Sequence, residues 1–303
     1  MQASNQVQSG VPESAVQRAA ALQAELTIHN HQYHVLDDPL IPNCDYDVLF
    51  RELVTLETTY PGLCTPDSPT QRVGGAVVDF LPSVRHLKPL LSIDNAMNAA
   101  EAQAFDARAH DELDVAPDET VEYCAELKYD GLSCSNVFEF GVLVLGATRG
   151  DGETGEEVTA QVRTIRNLPL TVAAWRNAPR VEVRGEVMMT KADFAKVNEA
   201  HEAAGKKKMV NCRNAASGSL RQLDPKVTTS RRLSFFAYSF GICEGYEPAP
   251  TQFGQLEELR NLGFTISEET AVVRGAQGMQ AFYDLLAEKR PNLPFDIDGL
   301  VFK

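Results

Sequence analysis

Lys128, in the stretch Glu126-Leu-Lys-Tyr-Asp-Gly131, carries the most specific chemistry legible in this chain of 303 residues. Val121 to Leu127 alternates apolar and polar residues, as a strand does. Asp130-Gly131 is a hairpin-type turn signal, and Leu132 to Glu139 and Val142 to Ala147 read as the next two strands of a meander. Lys128 then stands at a strand end, where a scaffold can aim it into a cleft. An amine so placed is a nucleophile once burial or a nearby cation favours its neutral form. A lysine before a turn is equally an ordinary surface residue, so Lys-x-Asp-Gly alone is a weak signal.

Two further stretches bear on chemistry. Gly150-Asp-Gly-Glu-Thr-Gly155 matches the G-x-G-x-x-G fingerprint of dinucleotide-binding enzymes. It fits that role poorly: Thr148-Arg149 interrupts the preceding strand, no acid lies about twenty positions on, and the surrounding strands suggest an antiparallel meander. A tight charged loop presenting Arg149 to a phosphate is the simpler reading. From Gly205 to Arg232 eight basic residues face one acid, a local net +7 in a chain whose net charge is -14. The window is a solvated loop or a phosphate-facing patch on an acidic body. The whole chain is too acidic to be a general nucleic-acid binder.

The elements that must position these residues follow in order. Residues 1 to 12 are polar and expected to be disordered. Ala15, Ala19, Leu22, Leu26 and Tyr33 recur at helical spacing from Glu13 to about Leu36. After Asp38-Pro39 and Ile41-Pro42, Asn43 is expected to cap a second helix whose core face is Val48, Leu49, Leu53 and Leu56. Thr65 to Gly75 reads as a linker. Further helices are expected at Ala99 to Glu112, Glu156 to Ile165, Lys191 to Ala203, Phe253 to Leu262 and Gln277 to Glu288. Strands are expected at Val181 to Met189, Leu233 to Phe240 and Asp296 to Phe302. The clustering of strands predicts an α+β fold with antiparallel sheets. The six scattered cysteines form no C-x-x-C pair and suggest a reducing cytoplasm. No apolar run is long enough for a membrane span. No secretory signal is apparent, and a monomer is expected.

Taken together, these pieces resemble the bacterial NAD-dependent DNA ligases over nearly the whole chain. Lys128-Tyr-Asp-Gly131 is similar to the motif whose lysine becomes adenylated. Ala147-Thr-Arg-Gly-Asp-Gly152, Val183-Arg-Gly-Glu186, Phe235-Phe-Ala-Tyr238 and Asp298-Gly-Leu-Val-Phe-Lys303 resemble the family's later signatures, and Asn214 to Asp224 a block between them. The N-terminal hairpin, with Tyr33-His34 and Asp45-Tyr-Asp47, resembles the module that holds nicotinamide mononucleotide. The resemblance implies a helical module over residues 1–75 and a nucleotidyltransferase (ATP-grasp-like) adenylation domain over 76–303. It implies a catalytic Lys128 that takes AMP from NAD and passes it to the 5′-phosphate of nicked double-stranded DNA, as in replication and repair. Asn43, Cys44, Asp45, Tyr46 and Asp47 would serve the mononucleotide, and Ser92 and Ile93 would line the nucleotide pocket. Glu126 would meet the adenine, Glu186 the ribose or metal, and Arg149 and Lys303 the phosphates. Asp130 would position or tune the nucleophile, and Lys303 with Mg²⁺ (or Mn²⁺) would lower its pKa.

Asn43 stands where the family has an acid, which implies weaker affinity for NAD, and Cys212 replaces a common proline. The family's zinc module and DNA-binding domains lie beyond the end of this sequence. The chain is therefore expected to be a fragment or truncated form that seals nicks poorly by itself. The alternative is a non-catalytic nucleotide-binding remnant.

Overall fold

The structure, a computed structural model, describes residues 11–34, 40–72, 78–116 and 119–303, with the side chains of residues 33, 34, 43, 44 and 72 excepted. The expected disorder of residues 1–12 therefore lies almost wholly outside the described residues. So do the helix end near Leu36 and the turn at Asp38-Pro39.

The N-terminal module is two helices, α1 (Glu13–His34) and α2 (Asn43–Thr59). Ala19, Leu22 and Leu26 lie one or two turns apart on α1 and bury against Leu53 of α2. At about 1.5–3 kcal/mol per buried leucine, this core is small for independent stability. A forked ion pair, Arg18 to Glu52 at 2.6 Å, adds little on an exposed face. The N-cap of α2 is Pro42, not Asn43 as the sequence suggested, and Asn43 is the first helical residue. The Pro42 carbonyl already accepts from Asp45 and Tyr46, which sets the helix start one residue early. The expected linker is also partly structured. Its Ser68 hydroxyl donates to the buried carboxylate of Glu57, which also takes bonds from Gln23 and Thr70.

The remainder is built on three antiparallel sheets. In chain order its elements are β1 (Ser83–Arg85), α3 (Ala99–Leu113), β2 (Glu122–Tyr129), β3 (Leu132–Glu139), β4 (Val142–Thr148) and β5 (Thr154–Glu156). Then follow α4 (Thr159–Val162), β6 (Arg180–Met188), α5 (Lys191–Ala203), α6 (Cys212–Leu220) and α7 (Pro225–Ser230). The chain closes with β7 (Ser234–Glu244), α8 (Gln252–Asn261), β8 (Ala271–Arg274), α9 (Gly275–Lys289) and β9 (Ile297–Phe302). The sheets run β1-β5, β8-β2-β9 and β4-β3-β6-β7. The largest core lies under the four-stranded sheet around Phe138, Trp175, Phe235 and Phe264, all fully buried. A second core, with Leu127, Phe282 and Ile297, backs the three-stranded sheet.

Two expectations are corrected here. The sequence suggested that β2, β3 and β4 form one meander. Instead β2 and β3 belong to different sheets, and Asp130-Gly131 is a crossing between them, not a hairpin turn. The crossing runs so close to β6 that a Cβ on Gly131 would lie 2.4 Å from the Val187 carbonyl oxygen. Only β3 and β4 form a hairpin, turning at Phe140-Gly141, both at positive φ. The helix expected at Glu156 to Ile165 is reduced to the single turn of α4, because Thr154–Glu156 is spent pairing with β1. Among the described residues, no helix is long and apolar enough to cross a membrane.

Candidate active site

The two larger sheets meet around a cavity of 770 Å³. Lys128 enters it from the last turn of β2. The β2–β9 register shifts between Leu127 and Tyr129, so Lys128 sits at an irregularity in the ladder. Such bulges re-aim side chains beside active sites. The aromatic rings of Tyr129, Phe236 and Phe295 pack within 5.0–5.8 Å of one another behind it and keep the strand end rigid.

At the mouth, the Lys128 ammonium pairs with the Asp298 carboxylate. That hydrogen bond holds the Asp298 carboxyl below the usual carboxylate range. Asp130, expected to attend the nucleophile, is instead turned to Arg213 at 3.0 Å. The reason is the crossing at Gly131, which directs Asp130 toward α6. Asp298 opens the stretch Asp298-Gly-Leu-Val-Phe-Lys303. Its Asp-Gly pair, echoing Asp130-Gly131, was the available signal.

At the floor, Glu126 is buried. Its carboxylate accepts from Gln252 at 2.9 Å and from Lys303 at 3.0 Å. Burial pushes the Glu126 carboxyl up, and the Lys303 ammonium opposes this. Lys303 also donates to the Tyr238 carbonyl at 3.2 Å and lies 5.5 Å from the centre of that ring. Its hydrogen bonds thus go to Glu126 and Tyr238, not to Lys128. Glu186 of β6 faces the same space, its carboxyl pushed up to about 7 chiefly by burial, against Arg213 and Arg149.

Ser92, Ile93 and Arg149 also line the cavity. Arg149 follows β4, its backbone N–H bonded to the Ser133 carbonyl at 3.0 Å. The basic window is not a loop but carries α6 and α7. Its Arg213 and Arg221 line the cavity, Arg221 bonded to Glu156. In the sequence these two do not stand out from the other basic residues of the window, and Gln252 lies in no motif, whereas Tyr238 closes the Phe235-Phe-Ala-Tyr238 stretch. Asp45, Tyr46 and Asp47 stand on α2 and do not line this cavity. The Tyr46 hydroxyl donates to Asn30 at 3.1 Å. Asn43 and Cys44 open the same helix, and their side chains lie outside the description.

The G-x-G-x-x-G loop joins β4 to β5, and β5 pairs antiparallel with β1. Gly150 and Gly152 take positive φ of 58° and 98° for the turn. No parallel βαβ unit surrounds it, so the dinucleotide-fold reading fails.

The arrangement is a space large enough for a nucleotide, with cations in its lining and an amine at its mouth. A family model for the NAD-dependent DNA ligase adenylation domain matches residues 79–303. The chain belongs to this family. A second model, the DNA ligase-like N-terminal NAD⁺-binding domain, matches residues 12–74. The chain is thus an NAD-dependent ligase adenylation domain preceded by its NAD⁺-binding module. Among solved structures, a mycobacterial DNA ligase D complexed with ATP and MES is similar at 15% identity and a TM-score of 0.36, over 60% of this chain and 48% of that one. The ligase domain from M. tuberculosis LigD is similar at 16% identity and a TM-score of 0.35, over the same shares. The match spans about half the length of either chain.

Proposed function

We propose that Lys128 is the nucleophile that takes AMP from NAD. The observation that carries this reading is the Lys128 amine, at a strand irregularity, opening onto a 770 Å³ cavity lined by the cations Arg149, Arg213 and Lys303, within an NAD-dependent ligase adenylation domain. The neutral amine attacks the adenylate phosphorus of NAD. A P–N bond forms, the pyrophosphate P–O bond breaks, nicotinamide mononucleotide departs, and the amine's proton passes to solvent. Asp298 orients the amine and, with its carboxyl held acidic, is a poor proton acceptor. Arg149 and Arg213 face the charge that builds on the phosphate oxygens. Glu126 accepts from the adenine, Glu186 faces the ribose, and Ser92 and Ile93 cover the nucleotide.

The mononucleotide half of NAD falls to the N-terminal module, through Asn43, Cys44, Asp45, Tyr46 and Asp47. The division near residue 75 belongs to the same proposal. Mg²⁺, or Mn²⁺ in its place, would add positive charge at the phosphates. Among the described residues no group of three or more metal-binding side chains exists. A cation there would be held mainly by substrate phosphates, with Glu186 of the cavity lining a carboxylate able to share it. The AMP then passes to the 5′-phosphate of a DNA nick, and the 3′-hydroxyl displaces it. Intact-protein mass after incubation with NAD and Mg²⁺ tests the reading, with ATP in a parallel tube. Gain of one AMP from NAD alone is expected; a gain from ATP alone, or none from either, overturns it.

A further inference from the structure

Residues 86–90 form a strap stitched down on both sides. Toward the glycine-rich loop, the His86 N–H donates to the Glu153 carbonyl at 2.9 Å and the Leu90 N–H to the Gly152 carbonyl at 2.9 Å. The His86 ring lies 3.1 Å from the Arg149 carbonyl. Toward β6, the Arg184 guanidinium donates to the carbonyls of Lys88 and Pro89. Arg184 is itself buried and fixed by Glu182 at 2.7 Å, which also accepts from Ser135 and from the Ile242 N–H. Leu90 is 6% exposed and closes the stitched part.

Beyond Leu90 the chain changes character. Leu91 and Ile93 are 82% and 52% exposed, and both line the cavity with Ser92. Among the described residues, no backbone hydrogen bond holds 91–96 until the Met97 N–H reaches Glu101 at 2.6 Å. The roof over the nucleotide is therefore a short span hung between two anchors. Its position is set by residues that do not themselves line the cavity.

We propose that Gly152 and Arg184 are positioning residues for nucleotide binding, acting through the strap on the roof formed by Leu91, Ser92 and Ile93. This rests on the proposed nucleotide site. It also gives the glycine-rich loop a role: Gly152 must lack a Cβ because one would lie 2.9 Å from the Leu90 carbonyl oxygen, the residue at which the strap ends. The Arg184 fork holds two successive carbonyls, a geometry that lysine's single ammonium cannot copy.

The test compares Gly152→Ala with Gly205→Ala. Both glycines take positive φ, 98° at Gly152 and 66° at Gly205, so both variants carry backbone strain, the larger at Gly152; nothing lies within 4 Å of a Cβ at Gly205, and Arg184→Lys tests the strap with no backbone strain at all. Affinity for AMP is read by calorimetry, single-turnover adenylation by NAD is read as a maximal rate and a half-saturating NAD concentration, and amide exchange is read over 86–95. Gly152→Ala is expected to raise Kd for AMP and the half-saturating NAD concentration about tenfold, to change the maximal rate about twofold or less, and to speed exchange at Leu90 to Asn95. Gly205→Ala is expected to leave all of these at the wild-type values. Arg184→Lys should share the Gly152→Ala pattern while keeping a charge beside Glu182. Faster exchange in the strap with unchanged Kd for AMP would overturn the proposal, as would equal effects from Gly152→Ala and Gly205→Ala. Wild-type protein that binds AMP but never becomes adenylated would overturn the ligase chemistry instead, and the AMP affinities would still decide the strap.

Discussion

Two lysine–carboxylate pairs face one cavity and are built in opposite ways. The lysines are alike: the Lys128 side chain is 32% exposed and the Lys303 side chain 31%. The carboxylates differ: Asp298 is 58% exposed and Glu126 6%. A buried carboxylate must keep its partners, because an unpaired charge in a dry site costs several kcal/mol. Glu126 accordingly holds Gln252 and Lys303 together as a fixed floor. An exposed carboxylate releases its partner at little cost, since water replaces the pair. Asp298 can therefore aim the Lys128 amine and let it go. On the proposed reading, the burial of the acid, not the identity of the base, separates the structural pair from the working one.

The contrast is sharpest where charge is removed. Lys128→Ala is expected to lower AMP transfer at least about 10³-fold while stability stays within about 0.5 kcal/mol of wild type. Intact mass and thermal melting check the two halves. A large loss of stability would mean that the mouth is structural after all. Among the supporting pairs, Glu182→Ala should cost about 3–5 kcal/mol, because it strands the buried Arg184. Urea unfolding reads this, and the double change Glu182→Gln with Arg184→Met should recover part of the loss. Lys303→Met should cost less, on the order of 1–3 kcal/mol, since Gln252 still bonds Glu126.

A pH series probes the third carboxylate. Glu186 has its carboxyl raised in the fold from 4.5 to about 7. The unfolded chain gives up this proton first, so stability from this group is full below about pH 4.5 and is lost as pH rises through 7. The loss is at most about 3 kcal/mol, and Glu186→Gln should flatten it in a plot of Tm against pH. A plot as steep in the variant would place the titration elsewhere. The smallest effect is expected at the mouth. Arg213→Ala breaks the exposed pair with Asp130 and should change stability by less than about 1 kcal/mol.

How far the sequence reached follows from these same residues. Local patterns were legible: the periodicity of α1, the strand alternation before Lys128, the extents of α3 and α5. The cavity residues Ser92, Ile93, Glu126, Lys128, Arg149, Glu186 and Lys303 could be named because they stand within short motifs. What the motifs do not encode is which sheet a strand joins. Asp130-Gly131 has the composition of a hairpin turn, and only the close passage of Val187 makes it a crossing. That one difference moved Asp130 to Arg213 and left Lys128 to Asp298, 170 positions away. The bonds of Gln252 to Glu126 and of Arg184 to Lys88 and Pro89 were illegible for the same reason: these partners are distant in sequence, and the helix and strand that carry the two residues look ordinary.

The most direct measurement of the central claim is to locate the transferred AMP. The protein would be incubated with NAD and Mg²⁺, digested at neutral to alkaline pH to preserve the acid-labile P–N bond, and sequenced by tandem mass spectrometry. The account predicts a single adduct on the peptide spanning Glu126 to Gly131, carried by Lys128. An adduct on Lys303 or on any other residue, with Lys128 unmodified, would contradict it.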